Sequence, residues 1–147
     1  MGTAIGRIVD VNLNRLTEGL RVVEDVVRLG LEDRRLLVGV RKLRTQVGRD
    51  VRVLRRRVIA SRKSETDLGR SERFDRAKRK SLEDVLLANF RRAEESARVL
   101  EEVLKVAEPG LAGEFKAVRF RLYDLEREAV STSEARMTKH EARLKPE

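Results

Sequence analysis

Residues 12–26 read Asn-Leu-Asn-Arg-Leu-Thr-Glu-Gly-Leu-Arg-Val-Val-Glu-Asp-Val, and a related run begins 77 residues later at residue 89. Residues 89–103 read Asn-Phe-Arg-Arg-Ala-Glu-Glu-Ser-Ala-Arg-Val-Leu-Glu-Glu-Val. Average residue usage would give roughly one identity, and a composition rich in Arg and Glu about two. Seven of the fifteen positions are identical: Asn12/Asn89, Arg15/Arg92, Glu18/Glu95, Arg21/Arg98, Val22/Val99, Glu24/Glu101 and Val26/Val103. This similarity predicts an internal duplication.

The first run has the spacing of an amphipathic helix. At 100° per residue one stripe is apolar, and Val22 and Val26 widen it into an arc. The stripe consists of Leu13, Leu16, Leu20, Val23 and Val27. The opposite side carries residues expected to form solvated i,i+4 pairs, namely Asn14, Glu18, Arg21 and Asp25.

Asn12 and Arg15 fall inside the apolar arc, and Asn89 and Arg92 occupy the same two places in the second run. A buried amide or guanidinium must be hydrogen-bonded or paired, because leaving it unpaired destabilises the fold by about 1–3 kcal/mol or more. The two matched sets therefore indicate a polar site between related helices. An equally weighted alternative is that these side chains snorkel past the core edge or pair with carboxylates there.

Composition limits the functional classes. The 147 residues suffice for one domain with a core, and the core must be aliphatic because 3% of the chain is aromatic. The absence of cysteine excludes disulfides and thiolate metal sites. Without a run of membrane-spanning length or a signal peptide, the sequence predicts a cytoplasmic protein that does not enter the membrane.

The net charge of +9 indicates an anionic partner, such as nucleic acid, an anionic membrane surface or a phosphorylated small molecule. The scarcity of aromatic residues argues against single-strand binding by base stacking.

Four helices are predicted along the chain. The first runs from Ile5 to Leu29 with Gly30 as its stop, and the second starts from an Asp33 N-cap and reaches Ala60. The apolar residues of the second helix are Leu36, Val40, Leu43, Val47, Val51, Leu54 and Val58. Residues 61–80 lose this periodicity and are predicted to form a long loop.

The third helix is predicted to start at a Ser81/Asp84 capping box and to end near Val106, before a turn at residues 108–110. The fourth carries Phe115, Val118, Leu122, Leu125 and Ala129. Its Lys116-x-x-Arg119 matches Arg41-x-x-Arg44 of the second helix, which extends the duplication to whole hairpins. The fold expected is an all-α bundle of two related hairpins about a pseudo-twofold axis, with a domain at 1–130 and a mobile polar tail at 131–147.

Few kinds of catalytic chemistry are available. No phosphate-binding glycine motif or nucleophile elbow occurs, and the single histidine, His140, falls in the predicted tail. The acidic pairs Glu24-Asp25 and Glu101-Glu102 would bind Mg²⁺ if they met across the axis, although ion pairing is the commoner role of such residues. The 61–70 loop offers Ser61, Arg62, Asp67, Gly69 and Arg70, a set suited to binding phosphate and metal.

Four runs resemble a small helical family of thiamin biosynthesis, the second, non-ribokinase type of hydroxymethylpyrimidine phosphate kinase. They are DVNLNRLTEGLRVVEDVVRLGLED, SRKSETDLG, LLANFRRAEESARVLEEVLK and FKAVRFRLYDLE, and the resemblance covers about residues 5–128. Members occur alone or fused ahead of thiamin-phosphate synthase, and this chain would be a standalone form. Lys63 stands where the family has an acidic residue.

The resemblance implies ATP-dependent phosphorylation of 4-amino-2-methyl-5-hydroxymethylpyrimidine phosphate to its diphosphate, with Mg²⁺. On this hypothesis Arg15, Arg92 and Arg62 act on the phosphates during transfer. The substrate-binding set is Asn12, Asn89, Glu18, Glu95, Arg21 and Arg98, the phosphate-binding set is Ser61, Gly69 and Arg70, and the metal set is Asp67 and Glu101.

Two alternatives need no catalysis. A basic helical module would bind nucleic acid with an affinity that falls steeply with salt. A scaffold bundle, either monomeric or homodimeric, would bind another enzyme of the thiamin pathway. Both treat the matched Asn and Arg positions as incidental, and the kinase is preferred.

Overall fold

The structure, a computed structural model, describes residues 1–72 and 77–144 and confirms the all-α bundle. Its long helices are α1 (Thr3–Asp25), α2 (Arg34–Val58), α3 (Leu82–Ala107) and α4 (Pro109–Leu144). The described ranges contain no strand. Within them, no helix is both long and apolar enough to cross a membrane.

Helices α1 and α3 pack against each other at the centre, with α2 beside α1 and α4 beside α3. Gly19 permits a close approach here, since a Cβ at this position would lie 3.1 Å from the carbonyl oxygen of Asn89. The two similar runs thus face each other at the middle of the bundle. The duplication itself stays a prediction.

The predicted apolar positions form the core. The five residues of the α1 stripe, the seven of α2 and the five of α4 are all buried, each with at most 4% of its surface exposed. Phe90 and Phe115 are the bulkiest fully buried side chains, and the remaining large ones are leucines. The expectation of an aliphatic core with few aromatic residues is confirmed.

Two helix starts are capped as predicted. The Asp33 carboxylate accepts the backbone N–H of Leu36 at 2.9 Å, and the Ser81 hydroxyl accepts that of Asp84 at 3.1 Å. The Asp84 carboxylate accepts the N–H of Lys80 at 2.9 Å instead of that of Ser81, so the second half of the capping box is displaced by one residue.

The prediction that Gly30 ends the first helix is wrong. The chain passes from α1 directly into a π-helical turn over Val26–Leu31, and Glu32 is the residue in the left-handed conformation, with φ 51°. Gly30 serves packing instead, because a Cβ there would lie 3.3 Å from the Leu82 side chain. The wider turn also lets Leu31 pack against the core.

The predicted domain boundary after residue 130 falls inside a helix, since α4 continues to Leu144. Polar contacts, and not an apolar stripe, attach the first residues of this extension to the rest of the bundle. Thr132 donates to the Asp33 carboxylate at 3.1 Å, and the buried Ser133 donates to Glu83 at 3.0 Å. Residues 73–76 of the predicted loop and 145–147 of the predicted tail lie outside the described residues.

A buried glutamate on the first helix of each hairpin pairs with arginine on the second. Glu24 accepts from Arg41 at 2.8 Å and also pairs with Arg44. Glu101 pairs with Arg119 at 2.9 Å. The matched Arg-x-x-Arg and Lys-x-x-Arg motifs therefore place Arg44 and Arg119 in equivalent ion pairs.

Another buried carboxyl, Glu94 of α3, is 8% exposed and lies against Glu126 of α4. Burial, a hydrogen bond with Glu126 and the negative charge of Glu126 raise the pKa of Glu94 to about 8. The native state then retains a proton that the unfolded chain releases near pH 4.5, so the free energy of unfolding should fall as the pH rises from about 4.5 to 8.

The free energy of unfolding should fall less between about pH 5 and pH 8 in Glu94→Gln than in the wild type, and we expect the difference to exceed about 1 kcal/mol. Urea unfolding of the wild type and the variant at about pH 5 and pH 8 measures it. Glu128→Gln, a change at an exposed glutamate of α4 that does not contribute to the raised pKa of Glu94, is the control. Equal pH dependence in the wild type and Glu94→Gln would contradict this assignment.

Candidate functional site

The loop that follows α2 is attached to the start of α1 by an ion pair. Arg62 donates from Nε and Nη2 to the two oxygens of Asp10, at 2.7 and 2.8 Å. The Asp10 side chain is 6% exposed and that of Arg62 is 41% exposed, so the carboxylate is buried beneath the guanidinium. The hydrogen bond with Asp10 and its negative charge raise the pKa of the Arg62 guanidinium.

Ser61 lies directly on Gly6, where a Cβ would come within 2.6 Å of the serine hydroxyl. The loop backbone turns in two short 3₁₀ segments, Ile59–Ser61 and Ser64–Thr66. The Asp67 carboxylate then accepts the N–H of Gly69 at 2.8 Å. These contacts fix the loop across the first two turns of α1.

The loop and α1 enclose a cavity of about 410 Å³, here called the loop cavity. Its apolar lining comes from Ala4, Ile8 and Val11. Its polar lining comes from Arg7, Asp10, Asn14, Arg62, Lys63, Ser64 and Asp67. Apolar surface with a few convergent charged groups is the usual composition of a small-molecule site.

The cationic side chains that line this cavity differ in whether they are already paired with another residue. Arg62 is held by Asp10, whereas the side chains of Arg7 and Lys63 make no hydrogen bond or ion pair with another described residue. Asn14 accepts from Arg55 at 3.0 Å, which fixes the orientation of its amide. The cavity therefore offers positive charge that an anionic ligand could neutralise.

A second cavity, of about 440 Å³, lies between α1 and α3 and is called here the interhelix cavity. It is lined by Glu18, Val22, Arg79, Ala88, Asn89, Arg91, Arg92 and Glu95. Asn89 donates from Nδ2 to the Val85 carbonyl at 2.8 Å, within its own helix. This cavity gathers residues of both matched runs.

Comparison with known proteins decides the family. A model described as the ThiD2 family matches residues 7–128, which include nearly all residues of both cavities. The chain belongs to the ThiD2 family. No solved structure matches it.

Curated relatives of this ThiD2 chain are named thiamine-phosphate synthase, which links the family to thiamine biosynthesis. The protein of Synechococcus sp. (strain CC9605) is 41% identical over 123 residues, covering 83% of this chain and 34% of the relative. That of Gloeobacter violaceus (strain ATCC 29082 / PCC 7421) is 41% identical over 121 residues, covering 82% and 35%. The chain thus spans about a third of the length of these relatives.

The predicted inward Asn/Arg set is only partly inward. Asn12 is 4% exposed and donates to the Ile8 carbonyl at 2.9 Å, so its amide hydrogen bond stays within α1. Arg15 and Arg92 are exposed, contrary to a buried site. The reason is that Val22 and Val26, which widened the apolar arc, are only partly buried, so this edge of the arc faces solvent.

Other predicted site residues divide between cavity and ion-pair positions. Glu18 and Glu95 are exposed and line the interhelix cavity. Arg21 pairs with Asp25 at 3.6 Å, as expected of an i,i+4 pair. Arg98 pairs with Glu101 at 3.3 Å. Arg21 and Arg98 line neither cavity.

The loop residues are also unequally placed. Arg62 and Asp67 line the loop cavity, whereas Ser61, Gly69 and Arg70 do not. Gly69 and Arg70 are exposed. The sequence analysis did not predict four of the residues that line the loop cavity as site residues: Arg7, Asp10, Asn14 and Lys63. Asp10 could not be recognised by periodicity, because its partner Arg62 is 52 residues away.

The Mg²⁺ that the family resemblance implies can be tested against the carboxylates. Among the described residues, no group of three or more His, Cys, Asp or Glu side chains converges. Both oxygens of Glu101 accept from arginine, Arg98 and Arg119, which favours ion pairing over the predicted metal role. Mg²⁺ that arrives with phosphates needs only one or two carboxylates. Asp67, Glu18 and Glu95 meet that need, since no described arginine pairs with them.

Proposed function

We propose that this ThiD2 domain transfers the γ-phosphoryl group of ATP to 4-amino-2-methyl-5-hydroxymethylpyrimidine phosphate, with the acceptor bound in the loop cavity. The observation that carries the proposal is that the same cavity is lined by apolar side chains and by two cations, Arg7 and Lys63, that form no hydrogen bond or ion pair with another described residue. A flat aromatic ring with one phosphate requires both. Membership of a family linked to thiamine biosynthesis supports the same reaction.

The chemistry makes few demands on side chains. An oxygen of the acceptor phosphate is already ionised at neutral pH and attacks the γ-phosphorus. The bond from that phosphorus to the β–γ bridging oxygen breaks, and ADP leaves with the electron pair. No proton has to be removed, so no histidine or other general base is required. Catalysis then rests on holding crowded phosphates in line and compensating their charge.

Each lining group has a role on this proposal. Ala4, Ile8 and Val11 hold the pyrimidine ring, while Arg7 and Lys63 bind the acceptor phosphate. Arg62 is a positioning residue, because both of its donor groups on Asp10 serve to hold the loop. Mg²⁺ supplies charge neutralisation between phosphates when bound, and Asp67, Glu18 and Glu95 are the residues that would hold it.

The test is a coupled ADP-release assay with ATP and Mg²⁺, run on the pyrimidine monophosphate and on the unphosphorylated pyrimidine. We expect turnover of the monophosphate alone, with one ADP for each diphosphate formed. No turnover of the monophosphate by folded protein would overturn the proposal. So would equal kcat/KM for the two acceptors, because the cation site would then have no phosphate to bind.

A variant pair locates the acceptor phosphate. We expect Lys63→Ala to raise KM for the monophosphate about tenfold or more, since a charge-assisted contact contributes roughly 1.5–3 kcal/mol. Lys42→Ala removes an exposed lysine of α2 that lines neither cavity and should leave KM within about twofold. Equal KM values for the two variants would exclude Lys63 from the acceptor site.

A further inference from the structure

The interhelix cavity is lined by two arginines that belong to no salt bridge among the described residues, although the charge of Arg91 acts on Glu94. Arg91 and Arg92 of α3 line it, and neither side chain makes a hydrogen bond or ion pair with another described residue. Other arginines of the bundle, such as Arg41, Arg62 and Arg119, are instead paired with a carboxylate. Adjacent arginines that are not held in a salt bridge, at the edge of a cavity, are suited to an anion with several charged oxygens.

The two cavities lie along one face of α1. Ala4, Ile8, Val11 and Asn14 line the loop cavity, and Glu18 and Val22 line the interhelix cavity. These residues follow the three- and four-residue spacing of a single helix face. The rise from residue 14 to residue 18 is roughly 6 Å, so the two cavities are neighbours.

Arg15 stands on this face between the cavities. It belongs to the same three- and four-residue series as Val11 and Glu18, it is exposed, and it has no partner among the described residues. A group bound in either cavity and extending toward the other would meet its guanidinium.

We propose that the interhelix cavity binds the polyphosphate of the nucleoside triphosphate donor, with Arg91 and Arg92 on its inner phosphates and Arg15 at the phosphate that is transferred. The inference rests on the proposed function, which leaves the donor unplaced. It explains why the matched arginines are exposed: they bind the ligand from both sides of the α1–α3 crossing and have no role in the core.

The oxygen groups of the cavity fit the same ligand. Glu18 and Glu95 bring two carboxylates, and the Asn89 Oδ1 accepts no hydrogen bond from a described residue while its Nδ2 is engaged with Val85. Carboxylate and amide oxygens are the side-chain ligands that Mg²⁺ prefers. Without a cation, Glu18 and Glu95 would repel phosphates, so donor binding at this site requires Mg²⁺.

The experiment is calorimetric binding of ADP and of a non-hydrolysable ATP analogue, each with and without Mg²⁺, to the whole chain. We expect Arg92→Ala to weaken Mg²⁺–ADP binding about tenfold or more. Arg15→Ala should leave Mg²⁺–ADP binding unchanged and weaken the analogue, which alone carries the γ-phosphate. Glu18→Gln should reduce the gain in affinity that Mg²⁺ gives.

Arg52→Ala is the matched control, since Arg52 is exposed on α2 and lines neither cavity. Binding of the pyrimidine monophosphate should be the same in Arg92→Ala as in the wild type, which also shows that the variant is folded. Nucleotide affinity in Arg92→Ala and Glu18→Gln equal to that of Arg52→Ala would overturn this inference without touching the acceptor site. Nucleotide binding as expected, with no turnover of the pyrimidine, would instead overturn the proposed function alone.

Discussion

Replacing Arg62 with alanine is expected to lower the free energy of unfolding by about 2 kcal/mol and to reduce turnover by about 100-fold. The stability loss arises because Asp10, 6% exposed, would keep a buried carboxylate without its bidentate partner. The value is below the roughly 3–5 kcal/mol of a fully buried pair because Arg62 is 41% exposed and partly screened by water. Turnover falls because Arg62 attaches the loop to α1, and this loop carries Lys63, Ser64 and Asp67, which line the cavity.

A double-mutant cycle separates the ion pair from other effects. In an Asp10→Asn background the carboxylate charge is absent, so Arg62→Ala should be less destabilising by about 1 kcal/mol or more. Arg70→Ala, an exposed arginine of the same loop that does not line the cavity, should change stability by less than about 0.5 kcal/mol. Urea unfolding and the coupled assay supply both quantities. Equal effects of Arg62→Ala and Arg70→Ala would contradict the attachment of the loop through Asp10.

Replacing Arg119 with methionine is expected to destabilise the bundle by about 2–3 kcal/mol. Burial by itself would raise the pKa of Glu101, but the hydrogen bond and charge of Arg119, together with Arg98, hold it below its ordinary value. Methionine preserves much of the arginine stem and removes the charge. Glu101, 6% exposed, would then retain only the ion pair with Arg98 at 3.3 Å.

The matched control is Arg98→Met, which removes the more exposed arginine from the same carboxylate and should cost less than about 1 kcal/mol. The pH dependence gives a second readout. A carboxyl with a lowered pKa stabilises the fold above pH about 4.5 and loses this contribution as the pH falls, so the deficit of Arg119→Met should shrink in acid. A deficit independent of pH would mean that Arg119 acts through packing and not through Glu101.

Local periodicity was sufficient for the fold. The apolar positions of α1, α2 and α4 are buried where predicted, and Asp33 and Ser81 cap their helices, because these features depend on residues three or four apart. The matched Arg44 and Arg119 were also found from spacing. The end of α1 was misplaced because the chain continues into a π-helical turn, in which Gly30 lies close to Leu82, a residue of another helix that local spacing does not reveal.

The site was less predictable for the same reason. Arg15 and Arg92 were predicted to face inward from their position in both runs, but they are exposed, because whether the edge of the apolar arc is covered depends on neighbouring helices. Asp10 appears as an ordinary helix carboxylate until the loop folds over it. The lining of the loop cavity therefore combines residues that become neighbours only through the path of residues 59–67.

The loop cavity is the proposed binding site of the pyrimidine monophosphate, and filling that cavity tests the placement most directly. Ile8 is 41% exposed and lines the cavity, so tryptophan there would occupy ligand space with little effect on the core. Val53→Trp adds the same bulk at a 60% exposed position of α2 that lines neither cavity. Calorimetric titration with the monophosphate should show binding weakened about tenfold or more in Ile8→Trp and unchanged in Val53→Trp. Equal affinity in the wild type and Ile8→Trp would place the acceptor elsewhere and contradict the account.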